Sequence, residues 1–137
     1  MSMNILIVDD SPVMRTFVRR VMQLTGLDVA QYLEANHGAE ALAVAAAQPV
    51  IDAVFTDINM PVMDGEEFVR QFRQIPGRSH TPVIVISTDA TAHRIENMIA
   101  LGASGYIQKP FGPEQLRNEV ERVLALVPEV IEEGDHA

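Results

Sequence analysis

The residues of this chain whose types suit chemistry fall at the ends of short apolar runs. Asp9 and Asp10 follow Ile5-Leu6-Ile7-Val8, Asp57 follows Ile51 to Thr56, Ser87 and Thr88 follow Val83-Ile84-Val85-Ile86, and Lys109 follows Tyr106-Ile107-Gln108. An acid ahead of a helix is ordinarily a cap, and that reading suffices for Asp9-Asp10 taken alone. Asp57 is different, because a carboxylate closing an apolar strand loses hydration unless positive charge compensates. If the first and third strands are neighbours, three carboxylates converge, and their repulsion draws a proton or a cation into the site. Mg²⁺ suits such a place: it takes oxygen ligands, needs only one or two carboxylates and keeps several waters. Lys109, if it arrives from the next strand but one, adds an ammonium group. A carboxylate beside both a metal and an ammonium can attack phosphorus and form an aspartyl phosphate. The two cations neutralise the phosphoryl oxygens, which is most of what phosphoryl transfer asks of a protein. Ser87 or Thr88 supplies a hydroxyl for the remaining oxygen. The set contains no general base, so the expected donor is an already activated phosphoryl compound.

The elements that must position these residues alternate five times between an apolar run and a stretch of helical period. The run Asn4–Val8 is continuously apolar after Asn4, as a strand buried on both faces must be. Ser11-Pro12 supplies a cap oxygen and a preset dihedral for a helix with Met14, Phe17, Val18 and Val21 on its apolar side, ended by Gly26. Val29–Glu34 is a weaker strand, and Gly38–Gln48 an alanine-rich helix closed by Pro49. After the strand Ile51–Thr56, Asp64 can cap a helix that buries Phe68, Phe72 and Ile75. Pro82 opens the fourth strand; a helix from about Ala90 to Leu101 follows, closed by Gly102. Tyr106–Gln108 is a brief fifth strand. The last helix aligns Leu116, Val120, Val123, Leu124 and Val127 and stops at Pro128. Five such units imply an α/β fold: a parallel sheet covered by helices on both faces through right-handed crossovers. In such sheets ligands bind outside the carboxyl ends of the strands, where the candidate residues collect.

The 137 residues suit one domain with one core. Ten Lys plus Arg against 19 Asp plus Glu give a formal charge of −9, which disfavours a grip on nucleic acid or an anionic membrane. The absence of Cys excludes thiolate metal sites, thiol catalysis and redox switching. No apolar run approaches a membrane span, and Met1-Ser2-Met3-Asn4 lacks the basic region of a secretory signal, so a cytoplasmic protein is expected. No linker leads to a second domain. Residues 128–137 form an acidic tail, with Glu129, Glu132, Glu133 and Asp135, expected to be disordered.

Taken in order, these residues resemble the receiver domains of two-component response regulators, most closely the free-standing CheY-like chemotaxis type. The resemblance covers about Asn4 to Val127, so residues 1–127 are expected to be one receiver domain. It rests on Val8-Asp9-Asp10-Ser11 with Met14-Arg15, Asp57-Ile58-Asn59-Met60-Pro61 with Met63-Asp64-Gly65, Ser87, and Gly102-Ala103-Ser104-Gly105-Tyr106 leading to Lys109-Pro110-Phe111. The strand order 2-1-3-4-5 is one that the family's own type member exemplifies, so it comes with the resemblance and not from the residues. The resemblance implies that Asp57 is the phosphoacceptor. It implies that Asp10, Asp57 and the main-chain carbonyl of Asn59 hold Mg²⁺, with Asp9 reaching it through water. Lys109 would pair with the phosphoryl group, with the Lys109–Pro110 bond in cis. Ser87 would follow the phosphoryl group, and Tyr106 would turn from exposed to buried. The switch surface would be the fourth helix, fifth strand and last helix, presented to a protein partner. Asn59, Thr88 and Asp89 occupy positions that tune access to the phosphoryl group and its hydrolysis in this family.

The implied protein is a stand-alone phosphorelay or chemotaxis switch, monomeric, fed by a sensor histidine kinase or phosphotransfer protein. It would be no enzyme beyond its own phosphorylation and dephosphorylation. A haloacid-dehalogenase-type phosphatase also uses an aspartyl phosphate, but that class needs a second acid where this chain has Asn59. A flavin-binding module of similar topology would want hydroxyls and amides where Asp9 and Asp10 stand. Met14, Met60, Met63 and Met98 are expected to pack in core or loops. His37, His80, His93 and His136 are expected to be solvated, as are Arg94 and Glu96.

Overall fold

The computed structural model describes residues 2–88 and 91–127. Its elements run β1 (Met3–Val8), α1 (Pro12–Leu24), β2 (Val29–Ala35), α2 (Gly38–Ala47), β3 (Ala53–Thr56), α3 (Gly65–Phe72), β4 (Val83–Ser87), α4 (Ala92–Leu101), β5 (Gly105–Gln108) and α5 (Pro113–Leu124). The strands form one parallel sheet in the order β2-β1-β3-β4-β5, as the resemblance implied.

Strand side chains alternate between faces, so each apolar run feeds two cores. Ile5, Ile7, Phe55, Ile84, Ile86 and Ile107 meet Val18, Val21 and Met22 of α1 and Leu116, Val120 and Val123 of α5. Leu6, Val8, Val54, Val83 and Val85 meet Ala41 and Ala45 of α2, Phe68, Val69 and Phe72 of α3, and Met98 of α4. β2 lies at an edge and is largely half-buried or exposed, which explains its diluted sequence pattern.

The other edge, β5, is covered by side chains. Glu119 Oε2 accepts from the Tyr106 main-chain N–H at 3.1 Å, and Arg122 Nη2 donates to the Ser104 carbonyl at 3.1 Å. Glu119 and Arg122 also pair with each other at 2.7 Å. The salt bridge thereby occupies main-chain groups that an incoming strand would pair with.

Several expectations shift. β3 begins at Ala53, because Asp52 pairs with Asn4 through its side chain as well as its main chain, both at 2.8 Å. Phe17 and Val127 are not buried: Phe17 lies edge-on to Phe111 at 5.4 Å, and Val127 follows the end of α5. Met22, not among the residues assigned to the apolar side of that helix, is fully buried. His37 is not merely solvated; its Nδ1 accepts from the Glu40 N–H at 3.2 Å and caps α2. α4 begins at Ala92 behind a Thr91 cap. Ala90, Asp89, Pro128 and the acidic tail at 128–137, including His136, lie outside the described residues. Among the described residues no helix is long and apolar enough to cross a membrane.

Candidate functional site

The main chain of each central candidate is fixed by the sheet that carries it. The Asp57 N–H donates to Val8 of β1 at 3.0 Å, the Asp9 N–H to Ala35 of β2 at 3.1 Å, and the Lys109 N–H to Ser87 of β4 at 3.0 Å. Each residue is thus one rung past its strand, on a frame of parallel neighbours. Carboxylate oxygens of Asp9, Asp10 and Asp57 come within 4.8 Å of one another. The Lys109 Nζ stands 3.4 Å from Asp9 Oδ2 and 3.4 Å from Asp57 Oδ2. These three side chains are 7% (Asp9), 15% (Asp57) and 11% (Lys109) exposed, so solvent screens them weakly.

Burial pushes the Asp9 carboxyl above the ordinary aspartate value; the Ser11 N–H and the Lys109 ammonium pull it back, and the charge of Asp57 pushes it further. Asp9 Oδ1 accepts the Ser11 N–H at 2.9 Å, and Asp57 Oδ1 accepts the Ile58 N–H at 2.7 Å. Three carboxylates against one ammonium leave excess negative charge in an all-oxygen setting, and the donor set fits a hard divalent ion.

The remaining candidates divide. Ser87 is buried at the end of β4, and its carbonyl accepts both the Lys109 N–H and, at 3.4 Å, the Tyr106 hydroxyl. Tyr106 is half-buried and packs against the α2–α3–α4 core. Thr88 and Asn59 are exposed. Asp89 is not among the described residues. The Lys109–Pro110 bond is cis.

Three contributors were not assigned a role at the site from the residues. Arg15 Nη1 donates to the Asp9 carbonyl at 2.6 Å and to Asn36 Oδ1 at 2.9 Å, while its Nε holds Glu34 at 2.8 Å, bracing the Asp9 backbone from behind. Gly65 is more than a turn residue: a Cβ there would stand 2.3 Å from the Asp57 carbonyl oxygen and 2.9 Å from Ile58 Cα. Helix α3 starts directly on the phosphoacceptor candidate's backbone, an approach open only to glycine. Arg94, expected on a solvated face, instead reaches Asn59 Oδ1 at 3.3 Å and Glu66 Oε2 at 3.4 Å. In the same loop Val62 adopts φ +67°, and the Met63 N–H bonds to the Pro61 carbonyl at 2.7 Å across it. That is a γ-turn of the strained hand, next to the site.

Fold and site together define a doubly wound α/β domain with an acidic, lysine-bridged cluster at the carboxyl end of its central strands. The response regulator receiver domain model matches residues 5–121, and the chain belongs to that family. A chemotaxis protein CheY homologue of Campylobacter jejuni is 34% identical over 122 residues, covering 89% of this chain and 92% of its own. CheY1 of Helicobacter pylori is also 34% identical, covering 89% and 97%. The crystal structure of Vibrio cholerae CheY4 superposes with a TM-score of 0.80 at 35% identity, over 90% of this chain and 99% of that one. The receiver domain of a Pseudomonas aeruginosa sensor histidine kinase, described with magnesium coordinated in its active-site cleft, gives a TM-score of 0.78 at 26% identity, over 91% and 99%.

Proposed function

We propose that this protein is a phosphorylation-driven switch in chemotaxis or phosphorelay signalling, and that Asp57 is its phosphoacceptor. The observation that carries the reading is the placement of Asp57 Oδ2 3.4 Å from the Lys109 ammonium, in a group of three carboxylates within 4.8 Å. In the transfer an Asp57 carboxylate oxygen attacks phosphorus and the donor's leaving group departs with its bonding pair. Lys109 neutralises charge on a phosphoryl oxygen, and the buried Ser87 hydroxyl donates to another. Asp9, Asp10, Asp57 and the Asn59 carbonyl would hold Mg²⁺, which supplies further charge neutralisation when bound. Since no base need deprotonate the attacking carboxylate, activated donors such as phosphohistidine or acyl phosphates suffice.

The output follows from Ser87. Its hydroxyl belongs to the residue whose carbonyl receives the Tyr106 hydroxyl, so drawing Ser87 toward a phosphoryl group disturbs the contact that holds Tyr106. Tyr106 and the faces of α4, β5 and α5 then present a different surface to a downstream protein. A sensor histidine kinase or phosphotransfer protein is the upstream partner, and residues 1–127 constitute the receiver unit, acting as a monomer. Thr88, Asn59 and Asp89 set how long the phosphoryl group survives. A phosphatase of the haloacid-dehalogenase type is disfavoured because an amide, Asn59, stands where that chemistry wants its second acid.

Incubation with Mg²⁺ and acetyl phosphate followed by intact mass measurement should show one added phosphoryl group, absent in Asp57→Asn and after EDTA. No gain with acetyl phosphate, carbamoyl phosphate and phosphoramidate would refute the reading. Sustained turnover of a phosphate monoester would transfer support to the phosphatase.

A further inference from the structure

Asn59 lies two residues past Asp57, with its side chain exposed. Arg94, in the first turn of α4, donates from Nη2 to Asn59 Oδ1 at 3.3 Å, and its Nε stands 3.4 Å from Glu66 Oε2. Glu66 follows Gly65, whose backbone rests on that of Asp57. The guanidinium is therefore held against the loop that carries Asp57, by the helix that follows Ser87. Arg94 and Glu66 are 28% and 30% exposed, which leaves the contact accessible yet confined.

A guanidinium carries only donors, so the Asn59 atom facing it must be the amide oxygen. The bond to Arg94 occupies one of that oxygen's two lone pairs and anchors the amide by its oxygen end, so a water near Asp57 competes with the guanidinium for it. The two ends act oppositely on hydrolysis. A carbonyl oxygen accepts a hydrogen bond from an attacking water and leaves the water's lone pair aimed at phosphorus. An NH₂ group occupies that lone pair or binds a phosphoryl oxygen instead.

We propose, resting on the phosphoacceptor reading above, that Arg94 is a positioning residue that competes with water for the Asn59 amide oxygen and so prolongs the aspartyl phosphate. The reaction it slows is complete in atoms and charge. The water oxygen bonds to phosphorus as the bond from phosphorus to the Asp57 carboxyl oxygen breaks. The electron pair returns to the carboxylate, and the dianionic phosphate ester plus water becomes carboxylate plus dihydrogen phosphate.

The test follows loss of the phosphoryl group after acetyl phosphate is removed, at saturating Mg²⁺, in wild type, Arg94→Ala, Arg94→Lys, Asn59→Ala and the Arg94→Ala/Asn59→Ala double variant. Arg94→Ala should hydrolyse about fivefold faster, the worth of one ordinary hydrogen bond. Arg94→Lys, which keeps a donor, should restore part of the lifetime. In the Asn59→Ala background, removal of Arg94 should change the rate by less than about twofold, since the oxygen it holds is gone. In the unphosphorylated protein, the Asn59 side-chain amide resonances should move in Arg94→Ala while those of Asn36 stay. An unchanged or slower rate in Arg94→Ala, or an Arg94 effect that persists without Asn59, overturns the proposal alone. A wild-type chain that accepts no phosphoryl group overturns the phosphoacceptor reading and this proposal with it.

Discussion

Lys109 Nζ lies 3.4 Å from Asp57 Oδ2 although the two residues follow strands separated in the sheet by β4. The long lysine side chain spans that gap, and its ammonium lies equally near Asp9 Oδ2. One cation thus joins the ends of β1, β3 and β5, and its removal is expected to affect stability as well as the proposed phosphoryl transfer.

Lys109→Met should destabilise the metal-free protein by about 3 kcal/mol at neutral pH, because two poorly hydrated carboxylates lose their counter-charge. Mg²⁺ should recover much of that loss while phosphoryl transfer stays impaired. Urea unfolding with EDTA and with Mg²⁺, beside acetyl phosphate labelling, separates the two effects. An unchanged urea midpoint without metal contradicts the electrostatic role.

Asp9 has the reverse effect in the absence of metal. Its carboxyl titrates above the ordinary value of 3.8, so the folded state binds that proton more tightly than the unfolded chain. This contribution to stability is full below about pH 3.8 and is lost as pH rises through the elevated folded value. In EDTA, Asp9→Asn should therefore be more stable than wild type at pH 7 and lose that advantage on acidification. With Mg²⁺ present the order should narrow or invert, because the variant forfeits a carboxylate. Thermal melts over pH, with and without metal, read both trends; an Asp9→Asn variant less stable than wild type in EDTA at pH 7 goes against the account.

Gly65→Ala places a methyl 2.3 Å from the Asp57 carbonyl oxygen, which is main chain and moves only with the loop. A loss of about 1–3 kcal/mol is expected, as for other overpacked sites. Phosphoryl acceptance should fall by more than the folded fraction does, because Asp57 is displaced. A variant of wild-type stability and labelling rate would show that α3 does not set the Asp57 backbone.

At the β5 edge, Glu119→Gln should increase hydrogen exchange at the Tyr106 amide, since the charged acceptor in that bond is lost. The Arg122 hydrogen bond, together with the Tyr106 N–H, holds the Glu119 carboxyl below its ordinary 4.5 despite partial burial. The bond's stabilisation is present above about pH 4.5 and is lost as pH falls through the lowered folded value. Protection of Tyr106 in the wild type should follow that course. Protection equal in both proteins at neutral pH argues against the edge-covering role.

The sheet was legible because its central strands β1, β3 and β4 are apolar on both faces and end in acids or hydroxyls, so alternation of elements sufficed for the class. Strand order was not, since nothing local in Ile51–Thr56 says which strands flank it; it came from the resemblance. The acidic cluster was legible chiefly through Asp57, because a carboxylate closing an apolar strand is a hydration cost that needs positive charge nearby; Asp9-Asp10 alone reads as a cap, and Asp10 is in fact exposed. Arg15, Gly65 and Arg94 escaped because their roles depend on contacts across the fold. Arg94 lies 35 residues from Asn59, and neither its helical position nor its charge distinguishes it from a solvated arginine. His37 escaped because it caps α2 through a ring nitrogen where an oxygen is the usual acceptor.

The central claim is that one carboxylate of the three becomes an acyl phosphate. Borohydride reduction of the acetyl phosphate-treated protein, followed by peptide sequencing in a mass spectrometer, converts the modified acid to homoserine and locates it. Homoserine at position 57 alone, dependent on Mg²⁺, is the predicted result. Homoserine at position 9 or 10, or at none of the three, contradicts the account.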